Sequence, residues 1–117
     1  MNAFSADKLD FGSNGRKLLP VVIQNAATRE VCFAGSTNRA AFERTRADGT
    51  VWLWSRSHKR LWHKGATSGD FLRLLEARVN CEENTLLYLV EPLGRGVCHK
   101  KDDGGAPYRT CFYRILE

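Results

Sequence analysis

Hydrophobic and polar positions along the chain fall into short blocks, none long enough to read as an extended helix. "LLPVVIQNAATREVCFAG" carries two apolar stretches, Leu19–Gln24 and Glu30–Phe33, around a turn of Asn, Ala and Thr, which predicts a β-hairpin. In "STNRAAFERTRADG", Thr37 or Asn38 supplies an N-cap, Ala40, Ala41 and Phe42 an apolar face, and Gly49 a stop, so a short helix is expected. "TVWLWSRSHKRLW" is dense in β-branched and aromatic residues and predicts a strand over Thr50–Ser55 that runs into a polar, basic turn. In "SGDFLRLLEARV" the apolar Phe71, Leu72, Leu74 and Leu75 recur as on one side of a helix, with Ser68 as cap and Asp70 in the first turn. A strand edge is expected around "RVNCEEN", and "TLLYLVEP" reads as a nearly continuous apolar strand ended by Pro92. Glycines and Pro107 then mark a long loop before a last strand, Cys111–Ile115.

These blocks predict an α+β fold: a small β-rich single domain with two short helices. Its boundaries are expected at 18–117, with residues 1–17 loosely ordered. The 117 residues suffice for one core, with 43% hydrophobic and 26% charged residues. No apolar run reaches the roughly 20 residues of a membrane span, and the first residues lack the apolar centre of a signal peptide, so a cytoplasmic protein is expected. The net charge of +5 is spread without a long basic run. It suits a phosphorylated small molecule better than nucleic acid or a membrane surface.

Three stretches could carry chemistry. Of four cysteines, Cys81, Cys98 and Cys111 lie near His99, and thiolates with an imidazole are a zinc-ligating set. A disulfide, buried cysteines that merely pack, or a Cys–His nucleophile pair use the same residues. "WSRSHKRLWHKGATSG" offers hydroxyls at Ser55, Ser57, Thr67 and Ser68, cations at Arg56 and Lys64, and flexible backbone at Gly65 and Gly69 where a helix is expected to begin. That combination can hold a phosphate, though a solvated basic loop has the same composition. His58 and His63 are expected to be exposed. In "NCEEN", Asn80, Glu82 and Asn84 place oxygen side chains at alternate positions, as a hard cation requires, or form an ordinary polar turn.

Taken together, "WSRS" at 54–57, "LWHKGATSG" at 61–69, "NCEEN" at 80–84, "CH" at 98–99 and "TCFYR" at 110–114 resemble the ordered blocks of the phosphoribosyl-AMP cyclohydrolases of histidine biosynthesis. The resemblance runs from about Leu19 to Arg114. It implies a zinc-dependent hydrolase that opens the six-membered ring of the adenine in phosphoribosyl-AMP, built as an intertwined homodimer. Carried over, Cys81 of one chain would join Cys98 and Cys111 of the other around zinc, and His99 would act as general acid and base. Ser55, Arg56, Ser57, Trp62, Lys64, Gly65, Thr67, Ser68 and Gly69 would bind the substrate.

The chain also departs from the family pattern. Three aspartates that would hold magnesium appear as Asn80, Glu82 and Asn84, the Glu after Lys-Gly appears as Ala66, and an early Leu-Ala-Tyr-Met-Asn appears as "AGSTN". A kept zinc half and an eroded magnesium half are also compatible with a paralogous zinc hydrolase acting on another purine ribotide or nitrogen heterocycle, or with a non-catalytic, zinc-stabilised binding protein.

Overall fold

The structure, a computed structural model, describes residues 2–117. The larger of two sheets in the fold is mixed and four-stranded. Strands β1 (Leu19–Asn25) and β2 (Val31–Thr37) form the expected hairpin. The expected helix is α1 (Arg39–Asp48), with the Asn38 side chain accepting from the Ala41 amide and Gly49 closing the C-terminal end. Of its buried residues, Phe42 joins the core and the Thr45 hydroxyl bonds the backbone of Trp52.

After α1, β3 (Trp52–Ser55) turns into β4 (Arg60–His63) to form a separate two-stranded sheet. The sequence predicts only a basic turn after Ser55. That turn is confined to residues 56–59, and Leu53 pairs with Trp62 across the hairpin.

The second predicted helix is absent. Residues Leu72–Val79 form strand β5, antiparallel to β6 (Leu86–Pro92). The register slips between Leu74 and Glu76, leaving Leu75 outside the ladder and 55% exposed. A β-bulge of this kind breaks the two-residue alternation and leaves apolar residues spaced as on a helix, which accounts for the misreading. Strand β6 lies between β1, to which it is parallel, and β5. Tyr88, Leu89 and Val90 are buried in succession, so both faces of β6 are covered there, which fits its nearly continuous apolar sequence.

The N-terminal segment expected to be loosely ordered contributes Leu9 and Phe11 to the core. Phe11 is 1% exposed, its ring 5.6 Å from that of Phe42, and the Arg39 guanidinium lies 5.1 Å from its centroid. A 3-10 turn at Ala6–Lys8 leads into it. The predicted final strand Cys111–Ile115 does not form. Residues 110 and 111 dock on the outer edge of β2, where the Cys111 amide donates to the Cys32 carbonyl at 2.7 Å and the Thr110 hydroxyl to the Val31 carbonyl at 2.6 Å. Phe112 and Ile115 stay exposed, with no ladder to hold them. No described helix is long and apolar enough to cross a membrane.

Candidate active site

Cys98 and Cys111 come together at the end of the sheet where β1 turns into β2. Cys98 is buried, and the amides of Val97 and Cys98 both donate to the Tyr108 carbonyl at 2.9 Å, folding the long loop back on itself. Cys111 is half-buried beside it. Burial, reinforced by the Cys98 thiol against it, pushes the Cys111 thiol up to about 12. The Lys100 amide donates to the Cys98 sulfur at 3.4 Å. Cys32 is fully buried in β2, and burial pushes its thiol up as well. His99 is exposed directly beside Cys98.

Cys81 does not join them. It is exposed in the turn between β5 and β6, at the opposite end of the sheet and three strands across from β2. Strand spacings of about 4.8 Å and a rise of about 3.3 Å per residue put it on the order of 20 Å from the Cys98–Cys111 pair. Among the described residues, no three of His, Cys, Asp and Glu converge as a metal-holding group within one chain.

The turn around Cys81 is closed by its amides. Asn80 Nδ2 donates to Asn84 Oδ1 at 2.8 Å, while Asn80 Oδ1 accepts from the backbone amides of Asn84 and Thr85, each at 2.9 Å. Glu82 is exposed and outside this network. Two aspartates in place of Asn80 and Asn84 could not make the amide-to-amide bond and would set like charges side by side.

The predicted substrate residues divide into two groups. Ser55, Arg56, Ser57 and Trp62 line one cleft of about 510 Å³, with Gly35 and Ser36 of β2 on its other wall. In its basic turn, His58 Nδ1 lies 3.2 Å from the hydroxyls of both Ser55 and Ser57. Thr67, Ser68 and Gly69 sit on an exposed turn beyond the cleft, leading into a strand, so no helix N-terminus supports the anion-binding reading there. The "AGSTN" departure was the one sequence signal that pointed towards Gly35 and Ser36.

Lys64 differs most from its expected role. It is 5% exposed, with its ammonium donating to the Val97 carbonyl and lying 5.9 Å from the Phe33 ring centroid and 6.0 Å from that of Trp62. Burial lowers its pKa, opposed by Cys111, Asp70, Cys98 and Cys32 around it. A cation held this way faces the thiol pair, not a phosphate in solvent. His63, expected to be exposed, is half-buried and stacked on Trp52, centroids 4.0 Å apart and planes 5° from parallel, with Nε2 at 2.8 Å from the Thr50 hydroxyl.

Cys98 and half-buried Cys111 thus lie together, Cys81 lies at the far end of the sheet, and Ser55, Arg56, Ser57 and Trp62 line a cleft of their own. A family model described as phosphoribosyl-AMP cyclohydrolase matches residues 26–113. The chain belongs to the phosphoribosyl-AMP cyclohydrolase family.

Its similarity to individual members is spread over nearly its whole length. It is 40% identical over 114 residues to the phosphoribosyl-AMP cyclohydrolase of Pelotomaculum thermopropionicum, covering 97% of this chain and 81% of that one. To the phosphoribosyl-AMP cyclohydrolase of Methanosarcina barkeri it is 44% identical over 100 residues, covering 86% and 72%. A histidine biosynthesis bifunctional protein of Synechocystis is 39% identical over 114 residues, and the chain spans only 49% of that protein's length.

Proposed function

We propose that this cyclohydrolase family member hydrolyses phosphoribosyl-AMP in histidine biosynthesis, as a homodimer whose zinc is held by Cys98 and Cys111 of one subunit and Cys81 of the other. The observation that carries the reading is the division of the cysteines: two side by side at one end of the sheet, one alone and exposed at the other. The donor set fits zinc. Burial against Cys98 disfavours ionisation of the Cys111 thiol, a cost that a bound cation would offset, and the Lys100 amide points at the Cys98 sulfur as a donor suited to a thiolate.

Zinc held by these three cysteines would supply a Lewis acid able to yield a nucleophile from water near neutral pH. Water adds at the ring carbon bearing the exocyclic nitrogen, the bond from that carbon to the substituted ring nitrogen breaks, and that nitrogen takes up the proton. His99, exposed beside Cys98, moves protons in this step. Arg56 with the Ser55 and Ser57 hydroxyls binds a phosphate, and Trp62, 40% exposed, offers a ring face to the base. The amide-closed turn at Asn80 and Asn84 supports activity with little response to magnesium.

The test is turnover of phosphoribosyl-AMP by purified, zinc-replete protein together with metal analysis of variants. His99→Asn should keep zinc and fold while turnover falls about a hundredfold to ten-thousandfold. Absence of turnover in the zinc-replete parent, or a full zinc complement in each of Cys81→Ser, Cys98→Ser and Cys111→Ser, would overturn the reading.

A further inference from the structure

The segment from Lys64 to Asp70 grips the loop that carries Cys98 at two points. Lys64 Nζ donates to the Val97 carbonyl, one residue before Cys98, and Asp70 Oδ1 accepts from the Arg95 amide at 3.1 Å. A turn brings the two ends of the segment round: the Gly69 amide donates to the Gly65 carbonyl at 2.7 Å, and the Ser68 hydroxyl accepts from the Asp70 amide at 3.2 Å. Gly65 sits at a φ of 99°, where a side chain would collide with the Phe71 amide. On the gripped loop, a Cβ at Gly94 would overlap the Asp70 carboxylate, so the close approach depends on the missing side chain. The Leu93 amide donates to the Phe71 carbonyl at 2.9 Å, continuing the contact on the other side of Asp70.

We infer that Lys64 and Asp70 are positioning residues that hold the backbone on the N-terminal side of Cys98, fixing the thiol against Cys111, and that neither binds substrate phosphate. A salt link to a phosphate would need the Lys64 ammonium in the cleft. It is instead buried against the Phe33 and Trp62 rings with its donor on a main-chain carbonyl. Two anchors at residues 95 and 97 leave the loop little freedom before Cys98, and the Tyr108 carbonyl takes the amides of Val97 and Cys98. The grip is a property of the chain with or without metal; only its consequence for catalysis rests on the zinc reading above.

The experiment compares the full chain with Lys64→Met, Asp70→Ala and Asp70→Asn. Three quantities are read: the rate of zinc release to a chromogenic chelator, the alkylation rate of each cysteine after chelation, and the split between kcat and KM. Exposed Cys81 serves as the internal standard for alkylation. Loss of one anchoring hydrogen bond should speed both zinc release and Cys98 alkylation about tenfold in Lys64→Met and Asp70→Ala. Asp70→Asn keeps an oxygen for the Arg95 amide and should stay within about twofold of the parent. KM should hold while kcat falls. Parental Cys98 reactivity in both disruptive variants, equal damage from Asp70→Asn and Asp70→Ala, or a Lys64→Met effect confined to KM would overturn the inference. If Lys64→Met fails to fold, the Asp70 pair decides alone, since that side chain is only half-buried. Should the parent bind no zinc, the zinc reading fails and the alkylation rates still decide the grip.

Discussion

The separation of Cys81 from the other two thiols makes subunit mixing a sharp test. Zinc–sulfur bonds of about 2.3 Å bring ligating sulfurs within about 4 Å of one another, against a separation on the order of 20 Å between Cys81 and the Cys98–Cys111 pair of the same chain. One chain cannot close that gap without breaking up the sheet, because Cys81 lies in the turn that joins its third and fourth strands in spatial order. Cys81→Ser and Cys98→Ser should therefore each be inactive alone, while subunits mixed through unfolding and refolding regain activity. In a mixed dimer, one site carries both substitutions and the other carries neither. Random pairing makes half the dimers mixed, each with one intact site of two, so about a quarter of the parental activity and zinc should return. Mixing Cys98→Ser with Cys111→Ser is the control. Both ligands come from one subunit, every site is broken in every pairing, and nothing should return. Recovery in the control equal to that in the test, no recovery in either, or full zinc in Cys81→Ser alone would refute the shared site.

The core and the turns supply further expectations. Phe11→Ala should destabilise the chain by about 3–5 kcal/mol in denaturant unfolding, because the ring is buried against Phe42 and under Arg39; a loss below about 1 kcal/mol would mean that the N-terminal segment packs only loosely. The triple variant Asn80→Asp, Glu82→Asp, Asn84→Asp should lose about 1–2 kcal/mol without magnesium, as carboxylates replace the amide bond across the turn, and regain it in millimolar magnesium. Unchanged stability in both conditions would show that the amide bond contributes nothing. The Asp48 carboxylate is held below its ordinary 3.8 first by the Thr50 hydroxyl and then by the Trp52 indole, so its contribution is present above about pH 4 and lost as the pH falls further. The stability gap between parent and Asp48→Asn should accordingly be open at neutral pH and close in acid, and a gap independent of pH would reject the ion's role.

The family was legible before the fold. The blocks from Trp54 to Arg114 are local, because each element supplies its own spacing of hydroxyls, cations or thiols, and they pointed to the family by themselves. Helix α1 was equally readable, since Asn38 and Gly49 act within a turn of the residues they cap. Strand β5 was not. Its identity is settled by β6, and a bulge at Leu75 disguised the alternation that would have revealed it. Lys64 shows the same divide within the site. Its sequence neighbours suit a phosphate ligand, and only the arrival of Val97, Phe33 and Cys111 from distant parts of the chain turns it inward. Residue type and local spacing thus determined which chemistry the chain carries. Long-range pairing decided which groups meet, since the burial and the partners that fix a side chain's role come from elsewhere in the sequence.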